Sequence, residues 1–268
     1  MMLAASSPMI PADSLTAKAE LLKRWGYDAL GVFQPLEDWN DGVRRELTSL
    51  GKRTGVRPVE FVLIDDIYGH AMDPDPDLRA RCRAMYLDAA SVCAELGTVT
   101  EIEYEYGARN PLPVFHPFQK LDAGQKDQFL DFYSEMLAVV AGTEGRVLLE
   151  PINRYECRYL NLVSDNLEII EAVDHPNAGL LPDTFHMSIE EADVASSIRA
   201  AGDLVAHVHL GDNNRLLPGH GRLDWPSIFG ALNEIGFEGA VSLECSTEGD
   251  PAETLPATAE RLRALIGA

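Results

Sequence analysis

Four side chains in this sequence could hold one metal ion between them. Glu150, Asp183, His209 and Glu244 each close a short apolar run: RVLLE at 146–150, AGLLPD at 178–183, LVAHVH at 204–209 and AVSLE at 240–244. The runs recur at roughly thirty-residue spacing, which suits a strand–helix repeat. If they are parallel strands of a barrel, the four side chains converge at one mouth. Three carboxylates and an imidazole gathered without a fixed positive charge would repel one another, and a divalent cation resolves that repulsion. The donor set is mostly hard oxygen, which favours Mn2+, Mg2+ or Co2+ and admits Zn2+. An ion with open coordination positions can chelate a carbonyl and its neighbouring hydroxyl, which acidifies the C–H bond between them. Two carboxylates on opposite sides of that carbon could then remove and return a proton.

Singly, each residue has a simpler explanation. An acidic residue at a strand end is usually a solvated loop residue or a helix cap. His207 and His209 lie two apart on one strand and share a face. His209 is nearer the C-terminal end and is assigned to the metal; His207 is then a core histidine. Four ligand-type residues at four successive strand ends are a rarer accident than any one of them.

Positioning these groups requires a regular scaffold. Apolar runs of strand length alternate with amphipathic stretches along the whole chain. Strands are expected at 3–9, 27–33, 58–64, 99–107, 146–152, 178–185, 204–210 and 239–244. Helices are expected at 13–25, 36–52, 76–96, 123–141, 164–173, 188–202, 223–236 and 251–266, with Ser164 and Ser188 as N-caps and Gly202 as a stop. A Pro-rich loop, ARNPLPVFHPFQ, follows the fourth strand. Eight strands alternating with helices select a parallel sheet with right-handed crossovers. The continuous apolar runs suit strands buried on both faces. No GxGxxG follows the first strand, so an open dinucleotide-binding sheet has no support. The expected fold is a single (β/α)8 TIM barrel, with the site at the C-terminal ends of strands five to eight.

The 268 residues match the length of one such barrel, about 250 residues, so one domain over 1–268 is expected. Lys and Arg number 22 against 43 Asp and Glu, a net charge of −21. That balance argues against nucleic-acid backbones and anionic membrane surfaces, both of which need clustered basic residues. The opening residues MMLAASSPMIPADS show neither a signal peptide nor a membrane span. Cys82, Cys93, Cys157 and Cys245 lack CxxC spacing and read as reduced structural thiols of a cytoplasmic protein.

EPINRYE (150–156), DTFHM (183–187), HVHLGDNNR (207–215), PGHGRLDW (218–225) and SLE (242–244) together resemble the sugar isomerase/epimerase barrels. The pattern is most similar to the ketose 3-epimerases acting on D-tagatose and D-psicose (D-allulose). The resemblance implies a metal-dependent epimerase or isomerase working through a cis-enediolate. It implies one divalent ion, Mn2+ first and Co2+ next, on Glu150, Asp183, His209 and Glu244. Glu150 and Glu244 would also exchange the substrate proton on opposite faces. His186 and Arg215 would polarise the carbonyl, and Glu156 would hold the terminal hydroxyl. A homodimer or homotetramer is implied as well.

The N-terminal half departs from that pattern. The fourth strand reads IEYEYGARN where small residues are usual near the sugar, and it places Glu101, Glu103 and Glu105 on one face. The loop after the third strand carries Asp65, Asp66 and His70. Solvated loop charge is the simpler reading of these groups, and new acid/base groups the alternative. The substrate therefore transfers less well than the metal chemistry. A lyase eliminating a β-substituent from a keto-sugar, inosose or oxidised C-glycoside uses the same ligands. Hydroxypyruvate isomerase and a non-catalytic sugar-binding module complete the alternatives.

Overall fold

The computed structural model describes residues 1–115 and 119–267; residues 116–118, in the expected Pro-rich loop, and Ala268 lie outside the described residues. Among the described residues the strands are β1 (Met2–Ser6), β2 (Ala29–Pro35), β3 (Arg57–Ile64), β4 (Val99–Ile102), β5 (Arg146–Leu149), β6 (Ala178–Leu180), β7 (His207–Leu210) and β8 (Ala240–Leu243). All are parallel, in the order β6-β5-β4-β3-β2-β1-β8-β7. The seam between β6 and β7 is closed by isolated bridges, Leu180 to Val205 and Asp183 to His209. The result is the expected (β/α)8 barrel.

Helices α1 (Leu15–Arg24), α2 (Asp41–Thr54), α3 (Pro76–Leu96), α4 (Ala123–Val140), α5 (Val163–Val173), α6 (Thr184–Glu190), α7 (Val194–Ala201), α8 (Trp225–Glu234) and α9 (Pro251–Ile266) fill the connections. The main apolar core lies between strands and helices, with Phe61, Phe129, Phe132, Tyr133 and Phe229 fully buried. Two smaller apolar clusters stand apart from the main core: Ala4, Ala29, Val59 and Ala240 pack together, as do Val99, Leu148 and Leu181.

Three local expectations are corrected. β4 ends at Ile102, not Gly107, and the chain beyond it pairs instead with the loop after β5, through Gly107 N to Glu156 O and Arg109 N to Tyr155 O. Helix α5 starts at Val163, whose N–H is taken by Glu191 Oε1 at 2.8 Å, so Ser164 is not its cap. The helix expected from Ser188 to Gly202 is two helices, capped by Asp183 and Asp193; Ser188 lies inside α6, where its hydroxyl donates to Phe185 O. Gly202 does end α7, at φ 57°.

Candidate metal centre and substrate pocket

β5 to β8 deliver one donor each to a common point. Glu150 directly follows β5 and Glu244 directly follows β8, their N–H groups bonded to Ile102 O and Leu210 O of the neighbouring strands. His209 lies within β7, and Asp183 caps α6 just past β6. One donor atom from each of the four lies within 4.8 Å of the others. Asp183 is wholly buried, and its two oxygens differ. Oδ1 accepts from Phe185 N and His186 N at 2.6 and 3.1 Å, while Oδ2 has no hydrogen-bond partner. A buried carboxylate oxygen left without a hydrogen bond is costly; Arg215 Nη1 approaches it only to 3.5 Å, and a directly ligated ion would satisfy it. The donor set therefore fits a divalent ion.

The imidazole of His209 is oriented from behind by Glu60. His209 Nε2 lies 2.8 Å from Glu60 Oε1, while Nδ1 lies 3.4 Å from Glu150 and 3.5 Å from Glu244. With an ion bound, the Glu60 contact would keep the proton on Nε2 and leave the Nδ1 lone pair for the ligand cluster. Burial penalises the Glu60 carboxylate, but His209 and His207 outweigh it and hold it at about 2. Space for this carboxylate exists because Gly31 stands opposite in register; a Cβ there would lie 2.7 Å from Glu60 Oε2. Sequence reasoning missed Glu60. Its signal is a lone carboxylate inside the apolar run PVEFVLI. His207 is buried as expected, but its Nε2 lacks a hydrogen bond and sits 3.8 Å from Glu60 Oε2.

In front of the ligands is a cavity of about 260 Å³, lined by Glu150, Glu244, His186, Arg215, Glu101, Glu103, Tyr68, Tyr106, Phe33, Ile64 and Asp65. Arg215 sits at a left-handed φ of 59°, which turns its side chain back over the mouth. Nη2 donates to Glu244 at 2.6 Å, Nη1 is 3.5 Å from Asp183 Oδ2, and the guanidinium stacks 4.6 Å above Phe185. Burial pushes the Glu244 carboxyl up to about 8 against the pull of His209 and Arg215.

The His186 ring is held by Asn153. The Asn153 Oδ1 accepts from Tyr155 N, which turns its amide nitrogen toward His186 Nδ1 at 2.7 Å and Glu156 Oε1 at 2.8 Å. Nδ1 thus accepts, and Nε2 carries the proton. Glu156 does not line the metal pocket; it lines the adjoining cleft.

The reading of the acidic extras as solvated charge fails for Glu101 and Glu103, which are buried and line the pocket. The single Tyr68 hydroxyl lies 3.3 Å from an oxygen of each, and the Tyr86 hydroxyl lies 3.4 Å from the second oxygen of Glu103. Burial first, then the nearby Glu150, pushes both carboxyls well above the ordinary range. Asp65 and Asp66 are exposed, and Glu105 pairs with Arg158. The four cysteines are free; burial raises all their thiols, so none is an activated nucleophile.

A parallel barrel carrying acidic and histidine ligands at its C-terminal mouth defines a metal-site barrel of the isomerase type. Residues 19–265 match the xylose isomerase-like TIM barrel family, and the chain belongs to it. D-psicose 3-epimerase of Ruminiclostridium cellulolyticum is 32% identical over 235 residues, covering 84% of this chain and 76% of that one. The 3-dehydro-D-guloside 4-epimerase of Escherichia coli K12 is 34% identical over 143 residues, about half of each chain at 53% and 54%. The crystal structure of 3-keto-D-glucoside 4-epimerase from E. coli superimposes with a TM-score of 0.87 at 25% identity, covering 98% of this chain and 99% of that one. No described helix is long and apolar enough to cross a membrane.

Proposed function

We propose that this chain is a metal-dependent epimerase of a keto-sugar, exchanging the proton next to the carbonyl through a cis-enediolate. The observation that carries the reading is the placement of Glu150 and Glu244. They come from β5 and β8, and each lies within 3.5 Å of the same His209 Nδ1, so they flank one point in the pocket. A bound divalent ion, held by Glu150, Asp183, His209 and Glu244, would supply Lewis acidity at the substrate's carbonyl and hydroxyl oxygens. One glutamate takes the α proton from one face of the carbon, and the other returns a proton to the opposite face. His186 Nε2–H and Arg215 direct donors at the oxygen on which charge develops. Mn2+ is the proposed ion. The relatives named as epimerases support the class of reaction. We also propose a single domain, a cytoplasmic protein, consistent with its free cysteines, and a homodimer or homotetramer.

A lyase is the second reading. Glu101 and Glu103 add carboxylic acids to the pocket that could protonate a departing hydroxyl. One experiment separates the readings: metal-loaded protein in D2O with a panel of ketoses and keto-glycosides, followed by NMR. Deuterium at one carbon with an inverted product supports the epimerase. An unsaturated product supports the lyase. No exchange with any sugar overturns both.

A further inference from the structure

We propose that the substrate carries a second sugar ring in glycosidic linkage, and that the cleft beside Tyr106 holds that ring; the proposal rests on the keto-sugar epimerase reading. The metal pocket alone, at about 260 Å³, falls just below the common size of small-molecule sites, roughly 300–1,000 Å³. A cleft of about 380 Å³ adjoins it, and Tyr106 lines both. The loops after β3, β4 and β5 build this cleft, each contributing charged or planar polar groups: Asp73, Glu105, Arg109, Glu156 and Arg158.

Tyr106 is mounted as a rigid platform. Its ring stands edge-on to Tyr68 with centroids 5.6 Å apart, and it remains 38% exposed. Gly69 makes the mounting possible: at φ 76°, a Cβ on it would lie 2.5 Å from Tyr106 N. A partly exposed aromatic face beside hydrogen-bonding side chains suits the apolar face and hydroxyl rim of a sugar ring.

The charges favour an uncharged ligand. Three carboxylates face two arginines and His70 in the cleft, and His70 Nδ1 already sits 2.9 Å from Asp73. Arg158 lies 3.7 Å from Glu105, and Arg109 donates to the Arg154 carbonyl at 3.0 Å. A phosphate or carboxylate on the ligand would find the basic groups already partnered, whereas hydroxyls find donors and acceptors. The cleft is also tied to the metal pocket. Glu156 bonds Asn153, Asn153 holds His186, and His186 meets Arg215. A ring seated against Glu156 therefore bears on the donors that face the carbonyl.

The test uses metal-loaded protein and two variants that leave the metal pocket intact. Ala108→Trp fills the cleft from an exposed position, and Arg158→Ala removes one of its arms. Deuterium exchange is measured with a keto-disaccharide and with the corresponding keto-monosaccharide. Calorimetric binding is measured with the unoxidised disaccharide and monosaccharide. We expect kcat/KM and affinity at least tenfold higher for the disaccharides. Both variants should remove that advantage and leave the monosaccharide values within twofold. Equal values for the two sugars in the wild type, or an unchanged advantage in Ala108→Trp, overturn the second-ring site while leaving the epimerase reading intact. Absence of exchange with both substrates overturns the epimerase reading instead, and the calorimetric arm then decides the cleft alone.

Discussion

His186 Nε2 and Arg215 Nη1 face each other across 3.0 Å, and both are donors, because Asn153 already occupies the acceptor side of the imidazole. Two N–H groups aimed at one point cannot satisfy each other. They call for a shared acceptor, and in the proposed reaction a substrate carbonyl oxygen would meet that need, the two side chains then serving as an oxyanion hole.

Losing either donor should therefore slow the chemical step more than it weakens binding. Arg215→Ala and His186→Ala are each expected to lower kcat by roughly 100- to 1,000-fold, with smaller effects on KM. Arg215→Lys keeps the charge but loses the fork that spans Glu244 and the neighbourhood of His186, so it should stay impaired. Steady-state kinetics at saturating metal checks this. Unchanged kcat in Arg215→Lys and Arg215→Ala would make Arg215 a mere rim charge.

Glu150→Gln and Glu244→Gln should each reduce turnover by about 100- to 10,000-fold, the usual cost of losing a general base. Glutamine keeps the shape and one oxygen ligand but takes no proton. Metal content must be read in parallel by elemental analysis. A variant that retains both metal and near-normal exchange would show that its glutamate only ligates.

Glu60 touches no substrate, yet its removal should loosen the ion. Glu60→Gln withdraws the anionic acceptor from His209 Nε2 and so weakens Nδ1 as a donor. Metal affinity should fall by roughly 10- to 100-fold, measured by competition with a chelator of known strength. Ion-saturated enzyme should recover most of its activity. Unaltered affinity would reduce Glu60 to a filler of the space over Gly31.

How much of this was legible in the sequence follows from what periodicity can see. The strands stood out because runs such as RVLLE and AVSLE are apolar throughout, as burial on both faces demands. Their polar last residues then had to lie at the barrel mouth. The end of β4 is hidden because IEYEYG keeps the alternation of a strand after ladder pairing has stopped at Ile102. Ser188 resembles a helix start in sequence, but Asp183, a ligand candidate, is also the residue whose side-chain oxygen caps α6. The burial of Glu101 and Glu103 depends on Tyr68 and Tyr86, brought from β3's loop and α3, and no local pattern reports such distant partners.

Metal should also stabilise the fold, because the ligands it neutralises are buried together. Binding to the native state alone contributes about 2.7 kcal/mol at a hundredfold excess over Kd. For a barrel of this size that corresponds to a rise in Tm of roughly 5–10 °C. Thermal melts with and without a chelator check it. Identical melting curves would mean that no ion occupies the cluster under those conditions.

Asp212 provides the last prediction, because it holds the loop that presents Arg215. It is fully buried and accepts four bonds: from Asn213 N and Leu223 N on Oδ1, and from Gly219 N and Trp225 Nε1 on Oδ2. Burial raises its pKa, but the bonds from Trp225, Leu223, Asn213 and Gly219 outweigh this and leave it below the usual value. In Asp212→Asn an amide N–H2 must face donors. The buried mismatch should cost about 1–3 kcal/mol, and kcat should fall as Arg215 loses its mount. The pH dependence has a definite sign. A carboxyl depressed in the folded state contributes stability above its unfolded pKa, about 3.9, and loses it as pH falls through the folded value. The gap between wild type and Asp212→Asn should thus be full at pH 7 and pH 5 and shrink below about pH 4. Urea unfolding of metal-free protein at pH 7, 5 and 3 reads that gap directly. A gap of constant size across the three values would show that Asp212 acts without its charge.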